Sequence, residues 1–211
     1  MSDAVQSHAA PSAREDIAFM RALAVEGADG PILGGSILLA TGLIYAAACV
    51  LDWLILINPR SAPGVWMMWI WMAALALQAV VMAVLILRLR GRRTSIDRSN
   101  RVFAKVWRGV GLGILSCLAS FFLTAWLTHR PEVFDGYPAV ILALYGVGWM
   151  VTAAASRERW TGGVAILSFL FAVASGAFAG NINLPLVFAL ALLLLLAAPG
   201  ALLLKRSQVR S

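Results

Sequence analysis

The segment Val65–Leu87, VWMMWIWMAALALQAVVMAVLIL, carries no charged side chain, and Arg88–Arg108, RLRGRRTSIDRSNRVFAKVWR, follows it at once with eight Lys or Arg residues and one acid, Asp97. At 1.5 Å per residue a helix of that first length spans about 35 Å, enough to cross a hydrocarbon core of roughly 30 Å. Barrel strands alternate apolar and polar residues over about ten positions, and this run does not alternate, so a transmembrane helix is predicted. The basic segment behind it is the kind of loop that stays on the cytoplasmic side.

Five further runs of spanning length surround it: Pro31–Ile57, Val106–Thr128, Pro138–Ala155, Gly163–Gly180 and Leu184–Leu204. With 61% apolar and 13% charged residues in 211, the composition lies far outside soluble usage. The predicted fold is an all-α integral membrane protein, a six-transmembrane-helix bundle with a short N-terminal amphipathic interfacial helix. Residues 1–30 form a cytoplasmic N-terminal segment, 31–204 the bundle with its basic loop at 88–105, and 205–211 a cytoplasmic tail.

Charge fixes the expected orientation. Eight of the 17 Lys and Arg residues lie between the second and third runs, and Arg157, Arg159, Lys205, Arg206, Arg210, Arg14 and Arg21 fall on the same side. Only Arg60 and Arg130 fall on the other. The positive-inside rule then predicts both termini in the cytoplasm, and the overall pattern, which looks like that of small multi-span bacterial membrane proteins, gives a bacterial cytoplasmic (inner) membrane as the expected location. A net charge of +7 would suggest nucleic acid in a soluble chain, but here the charge sits in short loops between apolar runs, so no nucleic-acid partner is expected. The expected partners are the lipid bilayer and its anionic headgroups, with Arg98, Arg101 and Lys105 as contacts for those headgroups or for an acidic protein. A membrane-protein partner or a second copy of the chain is the further expectation.

Ahead of the first run, Ser12-Ala13-Arg14-Glu15 has the form of a capping box, and Ile17, Met20, Leu23 and Ala24 share one helix face, which predicts the interfacial helix over residues 13–26. Residues 1–11 show no apolar pattern and are expected to be disordered. Ala46-Ala47-Ala48-Cys49 imitates a cleavage site, but five acids against two arginines precede it and the apolar run continues to Ile57, so cleavage is not predicted. Thr94-Ser95-Ile96-Asp97 reads as a helix start, and Val102, Phe103, Val106 and Trp107 follow at helical spacing. The third span is therefore expected to begin below the membrane.

Small residues suggest how the spans pack. Gly109, Gly113, Ser116, Cys117, Ser120 and Thr124 line one face of the third span, which marks it as the central packing helix. Gly35, Gly42 and Cys49 in the first span, and Gly176 with Gly180 in the fifth, suggest close contacts there too.

Candidate ligand-binding residues are few. Asp52 is the one acid within a run, near its outer end, and reads as a solvated interfacial carboxylate or as the anchor of an outward-facing cavity. The topology brings Arg60, His129 and Arg130 to the same end as possible partners, and Gln78 is the strongly polar side chain at mid-depth of the second run. Trp53, Trp66, Trp69, Trp71, Trp126 and Tyr137 crowd that end as an aromatic belt, or as the lining of a pocket rimmed by Asp52, His129, Glu132 and Asp135. No metal-ligand spacing, nucleotide loop or hydrolase motif occurs, so no cofactor, metal or catalytic residue is assigned. The expected function is a non-enzymatic subunit or regulator of a membrane assembly; the alternative is a small-solute transporter or permease with an outward-facing site near Asp52.

Overall fold

The computed structural model describes residues 31–58, 63–90, 98–156 and 158–209, which are all-helical with no strand. The helices are α1 (Pro31–Leu56), α2 (Pro63–Arg90), α3 (Arg98–Thr128), α4 (Tyr137–Ser156), α5 (Arg159–Ala177), α6 (Leu184–Leu192) and α7 (Ala198–Val209). A 3-10 helix, Pro131–Gly136, precedes α4, and a π turn, Leu193–Ala197, joins α6 to α7 into one continuous sixth span. Among the described residues six helices are long and apolar enough to cross a membrane. The third begins at Arg98, several residues before its apolar run, as expected. The fifth does not reach Gly180, which lies in the following turn with φ +75°. The interfacial helix expected at residues 13–26, residues 1–11, Arg60, the Thr94–Asp97 start and Arg157 lie outside the described residues.

Side-chain contacts tie the connections together at two ends. At one end Trp53 Nε1 donates to Asn183 Oδ1 at 3.2 Å, and Asp135 lies beside Gly180. At the other, Arg206 pairs with Glu158 at 2.9 Å and Phe103 packs against Gly34. This second end carries Arg88, Lys105, Arg108, Arg159, Lys205 and Arg206, all exposed, and is called the basic end below; the first is the distal end.

The core is built from α1, α4 and the sixth span. Leu142, Trp149, Leu192, Leu195 and Leu196 are fully buried, with Cys49 of α1 beside them. Helices α1 and the sixth span touch backbone to backbone: a Cβ on Gly42 would lie 2.6 Å from Ala197 N, and one on Gly200 would lie 2.5 Å from Leu39 N. Only hydrogen fits at such a crossing. Towards the basic end an aromatic ladder crosses α3, α4 and α5 and is capped from the sixth span. Phe103, Trp107, Trp149 and Trp160 follow one another with ring centroids 5.7, 5.2 and 6.0 Å apart, and the Arg206 guanidinium caps Trp160 at 5.4 Å.

The π turn has a readable cause. Pro199 has no backbone N–H, so it cannot serve the carbonyl of Leu195 four residues back, and its ring would collide with that carbonyl in a regular helix. Widening the turn before it relieves the clash. The freed Leu195 oxygen instead accepts the indole N–H of Trp149 at 3.0 Å, which binds α4 to the sixth span.

The expectation that the third span is the central packing helix is overturned. Val110 is the only buried residue of α3 among its described side chains, and a Cβ on Gly109 would meet nothing within 4 Å. Ser116, Ser120 and Thr124 are exposed and Cys117 is half-buried. Phe103 and Trp107 near its start and Phe121 near its end pack α3 against its neighbours, and Ser116, Ser120 and Thr124 are left outward. Gly176 likewise meets nothing, so the expected Gly176–Gly180 contact is absent among the described residues. Gly35 and Gly42 do pack closely, against the sixth span.

Candidate functional site

Thr41, Tyr45 and Asp52 stand at i, i+4 and i+11 on α1, and Trp71 and Gln78 at i and i+7 on α2, so each set shares one face of its helix. The two faces meet. Trp71 Nε1 donates to Asp52 Oδ2 at 2.6 Å, Gln78 Nε2 donates to Thr41 Oγ1 at 2.8 Å, and between these bonds the rings of Tyr45 and Trp71 stack at 6.1 Å. Ala74, between Trp71 and Gln78, is the only buried residue of α2 among its described side chains. Polar contacts therefore join half-buried apolar side chains such as Ile70, Val81 and Leu85 in holding α2 to the bundle, while most of its remaining surface is apolar and outward-facing.

Asp52 is the only acidic or basic side chain buried among the described residues, with 3% of its surface exposed. The solvated, interfacial reading of this carboxylate is thereby corrected: the helix places it at the expected height but turns it inward. Its Oδ1, like Gln78 Oε1, is enclosed and meets no hydrogen-bond donor among the described residues. The arrangement fixes a carboxyl group through one oxygen and leaves the other as an available acceptor.

The sequence-predicted residues separate into two places. Asp52 and Gln78 share the α1–α2 seam. His129 and Arg130 do not join them; they follow the end of α3, exposed, and His129 lines an open groove with Phe122, Ala125, Trp126, Pro131 and Phe134. The pocket expected to combine Asp52 with His129 is thus corrected to a groove without Asp52. Of the belt tryptophans, Trp66, Trp69 and Trp126 face outward, whereas Trp71 turns in to Asp52 and Trp53 reaches Asn183. Tyr137 donates to the carbonyl of Ile114 at 3.1 Å and so ties α4 to α3. Lys105 is exposed on α3; the side chains of Arg98 and Arg101 lie outside the described residues.

Thr41 and Tyr45 are residues of this seam that the sequence reading did not name, and Trp71, read there as belt or pocket lining, was not paired with Gln78. Their signal was available, since Trp71 lies seven residues from Gln78 and two full turns therefore align them. Both cysteines are free, Cys49 buried one turn from Asp52, and among the described residues no three His, Cys, Asp or Glu side chains gather as metal ligands. The chain matches no protein family, no curated protein and no solved structure.

Proposed function

We propose that the protein is a multi-pass protein of a bacterial cytoplasmic membrane, with its basic end and both termini in the cytoplasm, acting as a non-enzymatic subunit or regulator of a membrane assembly. The observation that carries this reading is the outward row of Ser116, Ser120 and Thr124 on α3, on a helix whose described side chains are buried at one position. Small and hydroxyl-bearing residues are what transmembrane helices present to other helices. Facing lipid, such a row has little use; facing a partner helix, it admits close approach and hydrogen bonds across the contact.

A transport path at mid-depth would draw on the same hydroxyls, and their outward position separates them from Gln78 and Asp52 in the α1–α2 seam. A second reading, a small-solute permease with its site at Asp52, draws on the free Oδ1. A photo-crosslinking residue at Ser120, with Val173 on α5 as an equally outward control, distinguishes the two in native membranes. The subunit reading predicts one discrete protein adduct from position 120 and lipid adducts alone from position 173. Lipid adducts alone from both positions would contradict it.

A further inference from the structure

The basic end holds more cations than its described acids can answer. Arg88, Lys105, Arg108, Arg159 and Lys205 are exposed there, and among the described residues the one ion pair is that of Arg206 with Glu158. The chain has 10 acids. Asp52 is buried in the α1–α2 seam, Glu132 and Asp135 stand at the distal end, and Glu158 is already engaged by Arg206. Apart from Asp97, the remaining acids are Asp3, Glu15, Asp16, Glu26 and Asp29, which all precede α1 and share that segment with two bases, Arg14 and Arg21.

The start of α1 fixes where this acidic segment joins the bundle. A Cβ on Gly34 would lie 2.7 Å from Phe103 Cε1 of α3, and one on Gly35 would lie 3.1 Å from Leu203 Cβ and 3.3 Å from Leu204 Cγ of the sixth span. The attachment point therefore lies between α3 and the sixth span, with Lys105 two residues beyond Phe103 on one side and Lys205 next to Leu204 on the other. A chain reaches at most about 3.6 Å per residue, so Asp29 stays within about 7 Å of Pro31 and Glu26 within about 18 Å. Both acids are thus confined near cations that make no ion pair among the described residues. At 0.1 M salt charges interact over about 10 Å, and the tether keeps the local concentration of these acids high.

We propose that the acidic N-terminal segment docks on the basic end of its own chain, with Glu26 and Asp29 answering the cations of α3 and the sixth span at Lys105 and Lys205. Charge complementarity and the point of attachment identify the occupant, and neither depends on the membrane placement proposed above. The segment becomes a cover for the cations that flank its exit, held by charge and released by salt. The basic end then has an intramolecular ligand as well as a part in orienting the chain.

The rate of disulfide formation between Ala24→Cys and Ala104→Cys, an exposed position beside Lys105, reads the docking directly. It is measured on the purified full chain in a zwitterionic detergent, with Cys49 and Cys117 replaced by alanine and copper phenanthroline as the oxidant. Glu26→Lys with Asp29→Lys should slow the crosslink about three- to fivefold at low salt, the order expected for losing two exposed ion pairs. Sodium chloride at about 0.5 M should slow the parent similarly, since screening then acts over a few ångströms. Adding Lys105→Glu and Lys205→Glu to the reversed segment should quicken the crosslink again, a recovery that a misfolded variant would not make. Equal low-salt rates in the parent and in the Glu26→Lys, Asp29→Lys variant overturn the proposal, and so does a fourfold reversal that is no faster than the twofold one.

Discussion

Asp52 accepts one hydrogen bond, from Trp71 Nε1, within a seam that otherwise relies on the Thr41–Gln78 bond and a ring stack. Removing the acceptor leaves a part-buried indole N–H unsatisfied, which costs up to about 1–3 kcal/mol. Asp52→Ala is therefore expected to lower the thermal unfolding temperature in detergent, while Asp52→Asn, which keeps an oxygen for Trp71, should melt above Asp52→Ala. Equal melting of the two variants would show that this bond contributes nothing. The sequence marked Asp52 and Gln78 as residues to watch, because polar groups inside apolar runs are few. It did not give their direction. Depth follows from counting along a helix, whereas whether a side chain turns inward depends on which neighbour packs there, and Trp71 was grouped with the outward tryptophans for that reason.

Helix against helix, glycine has opposite meanings in α1 and α3. A Cβ on Gly42 would collide with the backbone of Ala197, which cannot rotate away, whereas one on Gly113 would make ordinary contact with the Leu144 side chain at 3.6 Å. Gly42→Ala should therefore destabilise the bundle by about 1–3 kcal/mol, the usual cost of overfilling a tight contact. Gly113→Ala should leave the unfolding temperature within error of the parent, and equal losses for both would contradict the assigned α1–sixth-span contact. The seven-residue spacing of Gly35 and Gly42 was a correct sign of close packing. The longer small-residue row of α3 was misleading, since the same composition serves a contact inside the bundle and a face turned outward. Pro199 was the unread signal in the sixth span, where a missing N–H accounts for both the π turn and the bond from Trp149.

For the molecule as a whole, the six helices of membrane-crossing length were legible because length and apolarity are read directly from the sequence. The neighbours of each span were not. In a soluble bundle the polar face of a helix marks the outside, but lipid is as apolar as a protein core, so hydropathy does not separate α3, turned mostly outward, from α4, whose Trp149 is fully buried. Charge adds a direction to the bundle. Six exposed cations, Arg88, Lys105, Arg108, Arg159, Lys205 and Arg206, stand at the basic end, whereas Arg130 is the described cation at the distal end, with Glu132 and Asp135 near it. The most direct test of a six-span membrane protein with its basic end inside is labelling of single cysteines in intact cells with a membrane-impermeant maleimide, in a background where Cys49 and Cys117 are replaced by alanine. Positions 132 and 181 should label from outside, and positions 159 and 205 only after the membrane is opened; labelling of 159 and 205 in intact cells, with 132 and 181 protected, would contradict the account.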